Sequence, residues 1–135
     1  MDVFTETKKL RFPIDEYVII GGAALAARGI KETRDIDIVV SQKLITELRK
    51  EKFWHYHPRI IETEEAGLVN SSGTVELYPT VGGIPTLSFD DLRKRAEIID
   101  GIPFASLQDV RLIKETYRRD KDLKDLAFIE QYLNT

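Results

Sequence analysis

Residues 18–40 read Val18-Ile19-Ile20-Gly21-Gly22-Ala23-Ala24-Leu25-Ala26-Ala27-Arg28-Gly29-Ile30-Lys31-Glu32-Thr33-Arg34-Asp35-Ile36-Asp37-Ile38-Val39-Val40, and the fold turns on this stretch. Tyr17 to Ile20 is a short β-branched run stopped by two glycines, the pattern of a buried strand. Ala23 to Arg28 is rich in Ala and Leu and reads as a helix that Gly29 ends. After a polar turn, Asp35 to Val40 alternates as a second strand, with Asp35, Asp37 and Val39 on one face and Ile36, Ile38 and Val40 on the other. Ser41 is placed to cap an amphipathic helix, roughly Lys43 to Lys52, with Leu44, Ile45 and Leu48 along its apolar side.

Two carboxylates two residues apart on a strand leave the same face, a spacing that suits shared coordination of divalent cations by hard oxygen ligands. On the wet face of a half-buried strand the same spacing would be only a solvated pair. Asp35 and Asp37 instead lie inside an apolar run, where Asp is a poor strand former and a buried carboxylate needs a cation or hydrogen-bond donors. Gly21 and Gly22 remove two Cβ atoms between strand and helix, which lets a phosphate approach backbone N–H groups, although a tight turn alone has the same need. A hydroxyl and a guanidinium directly before the first acid, Thr33 and Arg34, are able to contact phosphate; capping and a surface salt bridge are their plainer roles.

The text from Phe53 to Pro85 is mostly strand and turn, around Trp54, Ile60-Ile61, Leu68-Val69 and Thr74 to Tyr78, with Ser71-Ser72-Gly73 as a turn; it predicts an antiparallel addition to the sheet. Within it Glu76 alternates with Val75 and Leu77, while His55 and His57 stand in an aromatic stretch and receive no role. Ser88 is placed to cap a helix over Phe89 to Ala96, Ile102 to Ala105 follows Asp100-Gly101 as a short strand, and Ser106 opens another helix. A last helix is expected near Lys121 to Leu133.

A length of 135 residues suits one domain spanning 1–135, with four or five strands. The longest apolar run ends at Arg28, well short of a membrane span. The start, MDVFTETKKL, lacks the pattern of a secretory signal, and no cysteine asks for oxidising conditions, so a cytoplasmic location is expected. A net charge of −3 argues against a general nucleic-acid-coating role, although Arg118, Arg119, Lys121 and Lys124 form a local basic patch.

The succession of strand, Gly-Gly, helix, turn and acid pair resembles the signature of the nucleotidyltransferase superfamily, the polymerase-β-like fold, in its minimal bacterial and archaeal form. The segment SLQDVRLIKETYRRDKDLKDL, residues 106–126, resembles the close of those small members: a helix lysine, a basic turn, then Lys-Asp-Leu-x-Asp-Leu, here Lys114, Arg118, Lys121, Asp122 and Asp125. The resemblance spans roughly Tyr17 to Leu133. It implies an α/β (α+β) fold with a mixed, mostly antiparallel sheet flanked by helices. By position, Gly21 and Gly22 would bind the nucleotide triphosphate and Asp35 and Asp37 would hold Mg²⁺. The third acid that the family draws from a neighbouring strand would be Glu76, and with it two Mg²⁺ ions would be held between nucleotide and attacking oxygen. Thr33, Arg34 and Lys114 are the further nucleotide-binding candidates; a salt-bridged helix surface is the alternative for Lys114, with Glu115, Asp120, Asp122 and Asp125 nearby.

The implied activity is Mg²⁺-dependent transfer of a nucleoside monophosphate from an NTP, ATP or another, to a hydroxyl of a protein, an RNA or a small molecule. Several small members of the superfamily belong to toxin–antitoxin or phage-defence pairs. The alternative is an inactive member that keeps the fold as a binding module for a helical partner protein. The position of Glu76 relative to Asp35 and Asp37 separates the two.

Overall fold

The computed structural model describes residues 1–56, 67–81, 84 and 86–135. His57, Ile60-Ile61 and Pro85 lie outside the described residues. In chain order the elements are α1 (Val3–Leu10), β1 (Tyr17–Ile20), α2 (Gly21–Ala27), β2 (Ile36–Val40), α3 (Gln42–Leu48), β3 (His55–Tyr56) and β4 (Leu68–Val69). They continue with β5 (Val75–Tyr78), α4 (Phe89–Arg95), β6 (Glu97–Ile99), β7 (Ile102–Phe104), α5 (Leu107–Tyr117) and α6 (Asp120–Leu133).

Among the described residues the strands form one seven-stranded sheet in the order β3-β4-β5-β2-β1-β7-β6. Four of the six pairings are antiparallel, and β1–β7 and β2–β5 are parallel, so the sheet is mixed and mostly antiparallel as expected. The expected four or five strands fall short. The two-residue β3 and the edge strand β6 carry too little periodic signal to register, since Ile98 of β6 points its side chain into solvent.

The expected antiparallel addition is correct within β3, β4 and β5, where the Ser71-Ser72-Gly73 turn returns β4 onto β5. It fails at the junction, because β5 joins β2 in parallel: Ile36↔Val75, Asp37↔Glu76, Ile38↔Leu77 and Val39↔Tyr78. That junction builds the site.

The centre of the sheet is closed on both faces. Val18 and Ile19 of β1 and Ile36, Ile38, Val39 and Val40 of β2 are fully buried, which is why an all-apolar strand such as Tyr17–Ile20 is stable only there. Ser41, Ser88 and Ser106 cap α3, α4 and α5 by accepting the N–H of Leu44, Asp91 and Asp109, each at 3.1 Å. The first helix was not expected from the sequence, since VFTETKKL has no sustained apolar stripe; Asp2 caps it at Thr5 and Phe4 docks edge-on against Phe104 with ring centroids 5.7 Å apart. Among the described residues no helix is long and apolar enough to cross a membrane.

Candidate functional site

The helix expected at Ala23 begins at Gly21. Gly21 has φ +64, a conformation costly for any residue with a Cβ, and it turns the chain sharply from β1 into α2. A Cβ at Gly21 would stand 3.3 Å from Asp37 Oδ2, and one at Gly22 would stand 3.1 Å from Thr33 Oγ1. The missing side chains therefore give room to the acid strand and to the loop that leads into it.

Strand β2 begins at Ile36, one residue later than expected, so Asp35 lies just before it and is exposed; Asp37 is partly buried inside the strand. Thr33 is buried and its hydroxyl donates to the Asp35 carbonyl at 3.0 Å, fixing the entry to β2. In parallel register with Asp37 stands Glu76, whose side chain accepts a hydrogen bond from the Tyr78 hydroxyl. Val75 and Leu77 of the same strand turn into the core, as the alternation predicts.

Thr33, Asp35, Asp37, Glu76 and Tyr78 line one cavity of about 990 Å³ that also includes Gly21, Gly22, Arg34 and Lys114. The structure thus brings every expected site residue to one cleft. It adds several that the sequence reading left unassigned: Lys31, Glu32, Tyr78, Tyr117, Arg119 and Lys121. Tyr78 had a signal, since it follows Glu76 at the two-residue period of one strand face. Arg119 and Lys121 showed only as part of a basic patch, and Lys31 had no signal, because a loop carries no periodicity.

Negative charge dominates the β2–β5 wall. Burial pushes the Asp37 carboxyl up to about 6, and the neighbouring charges of Asp35 and Glu76 push the same way, against the smaller opposing influence of Lys121 and Lys114. The Tyr78 phenol is also raised, by burial first and then by its hydrogen bond to Glu76 and the surrounding acids.

Opposite this wall the charges are balanced. Lys114 is buried and pairs with Asp125 Oδ2 at 2.8 Å and Asp122 Oδ1 at 3.4 Å. Lys31 meets Asp125 Oδ1 at 2.9 Å, and Asp122 accepts from Arg119 N at 3.0 Å, Nε at 2.7 Å and Nη2 at 3.2 Å. Burial raises the Asp122 carboxyl, but the Arg119 donors outweigh it and hold the group below its usual value. The Lys-Asp-Leu-x-Asp-Leu run is explained by this network: its two aspartates, three apart on α6, both face Lys114 of α5. Lys114 lines the cleft with its charge already matched, buried rather than on the helix surface that was the alternative. Arg34 and Lys121 line the cleft and form no ion pair among the described residues.

The donor set on the acid wall suits a hard divalent cation: three carboxylates, one of them, Asp37, holding its proton more tightly because it is buried beside the other two acids. Among the described residues no three such side chains converge as they stand, so closing them round an ion is left to side-chain rotation. His55 stays outside the site; it is exposed and contacts Ser71 Oγ at 3.1 Å across the β3–β4 edge.

No family model and no curated protein matches the chain. Among solved structures it is similar to a Thermotoga maritima protein described as a "putative nucleotidyltransferase", over 96% of this chain and 94% of that one, with 19% identity and a TM-score of 0.52. At this identity the likeness is one of fold: the chain has a nucleotidyltransferase-like architecture.

Proposed function

We propose that the chain is a divalent-cation-dependent nucleotidyltransferase that moves a nucleoside monophosphate from an NTP to a hydroxyl of a protein, an RNA or a small molecule. The observation that carries this reading is the parallel pairing of Asp37 with Glu76, which sets a third carboxylate beside the Asp35/Asp37 pair on one cavity wall. A solvated strand face has no use for three mutually repelling acids in a cleft.

Asp35, Asp37 and Glu76 would hold two Mg²⁺ ions, which when bound supply charge neutralisation for the triphosphate and the attacking oxygen. The residues of the chain orient the rest. Gly21 and Gly22, which make room for Asp37 and Thr33, line the cleft where the nucleotide would sit, and Arg34 with Lys121 offers unmatched positive charge to the phosphate tail. The acceptor oxygen forms a bond to the α-phosphorus while the bond to the β-phosphate oxygen breaks; pyrophosphate leaves and the hydroxyl proton passes to water or to a carboxylate of the wall. Thr33 keeps Asp35 at the strand entry through its carbonyl.

The test is transfer of label from α-labelled NTPs into cell lysate or purified candidates, with wild type compared against Asp35→Ala/Asp37→Ala. Label transfer that needs Mg²⁺ and vanishes in the double variant supports the reading, and unchanged transfer in that variant sinks it.

A second reading, a catalytically inactive binding module acting through a partner protein, is favoured by one feature. The exposed sides of α5 and α6 carry Leu112, Leu123, Phe128, Tyr132 and Leu133, a large apolar content for a free surface. Stable co-purification with a partner and no transfer by the complex would decide for it.

A further inference from the structure

We propose that Tyr78 is a positioning residue that fixes the Glu76 carboxylate for cation binding, and that residue 67 is glycine so that strand β5 can hold Tyr78 in that station. The proposal rests on the reading of the acid wall as a cation site.

Glu76 is the longest of the three acid arms, with one more methylene than Asp35 or Asp37 and correspondingly more rotamers to lose on binding an ion. Tyr78 follows it by two residues on β5, so both side chains leave the same face, beside Asp37 and Val39 respectively. The Tyr78 hydroxyl donates to Glu76 Oε2, which anchors the arm at its far end. A carboxylate that ligates a metal through one oxygen and is hydrogen-bonded through the other is held in orientation before the ion arrives.

The ring that carries this hydroxyl lies where a side chain at residue 67 would reach it. A Cβ at residue 67 would stand 2.8 Å from the Leu77 carbonyl oxygen and 3.2 and 3.4 Å from ring carbons Cδ1 and Cε1 of Tyr78. Gly67 immediately precedes β4, whose Leu68 pairs with Leu77, so it faces the stretch of β5 on which the Tyr78 ring leans. The buried glycine and the anchored acid are thus two ends of one arrangement: Gly67 admits the ring, the ring presents the hydroxyl, and the hydroxyl orients Glu76.

Mn²⁺ is a probe that can be counted directly by electron paramagnetic resonance on the full-length chain. Titrations would compare wild type, Tyr78→Phe, Glu76→Gln and the double variant, each checked for folding by thermal melting. Loss of an outer hydrogen-bond partner weakens metal binding about tenfold to a hundredfold, and Tyr78→Phe is expected in that range. Because Tyr78 acts through Glu76, the double variant is expected to bind Mn²⁺ no more weakly than Glu76→Gln alone. Unchanged or tighter binding by Tyr78→Phe overturns the proposal, as do losses that add in the double variant. Should Tyr78→Phe fold poorly, Tyr78→Leu, which likewise lacks the hydroxyl, is expected to show the same loss and the same lack of addition to Glu76→Gln. Wild-type affinity in Glu76→Gln itself would show that the acid wall is not a cation site, and the reading of the function would fall with it; sensitivity in Glu76→Gln but not in Tyr78→Phe removes the positioning role alone.

Discussion

Asp37 of β2 and Glu76 of β5 are direct neighbours in a parallel strand pair, so two acids far apart in sequence share one cavity wall. Their mutual repulsion, added to the burial of Asp37, has a measurable consequence. The Asp37 carboxyl, at about 6 against an ordinary value of 3.8, binds its proton more tightly in the folded than in the unfolded chain. Its stabilising contribution is therefore complete below about pH 3.8 and lost as pH rises through about 6. Asp37→Asn should remove that loss and leave the metal-free protein more stable at pH 7 by on the order of 2 kcal/mol, after discounting for partial exposure. Melting curves at pH 5 and pH 7 check it: the variant's gain should shrink at the lower pH.

Removing the buried cation should act in the opposite sense. Lys114→Met leaves Asp122 to Arg119 and Asp125 to Lys31, so stability should fall, by less than the roughly 3–5 kcal/mol that an uncompensated buried charge costs. Urea unfolding measures the drop, which is expected whether or not nucleotide is present.

Lys121 should behave differently. It is exposed, lines the cleft and makes no ion pair among the described residues, so Lys121→Ala should change stability by less than about 0.5 kcal/mol. If it meets the phosphate tail, NTP affinity should fall about tenfold, readable by calorimetry with Mg²⁺ present.

The two glycines should separate by backbone. Gly21→Ala forces a Cβ into a positive-φ position against Asp37 and should cost at least about 1–2 kcal/mol. Gly22 has ordinary helical φ, and an alanine there is opposed only by the Thr33 hydroxyl. In a Thr33→Ala background Gly22→Ala should turn stabilising, by up to about 1 kcal/mol, since Ala is the better helix former. Equilibrium unfolding of the four variants gives the comparison.

What could be read from sequence follows the range over which each signal acts. β1 was legible to the residue, because four apolar β-favouring residues followed by Gly-Gly leave no other reading, and the serine caps were legible because a cap is a contact between residues three apart. The acid pair was legible from the two-residue period of a strand. The parallel register of Asp37 with Glu76 was not, because no local pattern specifies which edge of β2 the later strand joins. The pairing of Lys114 with Asp122 and Asp125 was among the sequence's alternatives, but its burial was not legible, because only the packing of α5 on α6 encloses it.

At Gly21 and Gly22 the space that two side chains would fill is taken by Asp37 and Thr33 of the same molecule. The pair is thus demanded by the scaffold's own assembly, before any nucleotide is considered. A Gly-Gly turn at this place therefore reports the architecture, and the acids alone bear on the chemistry proposed for it.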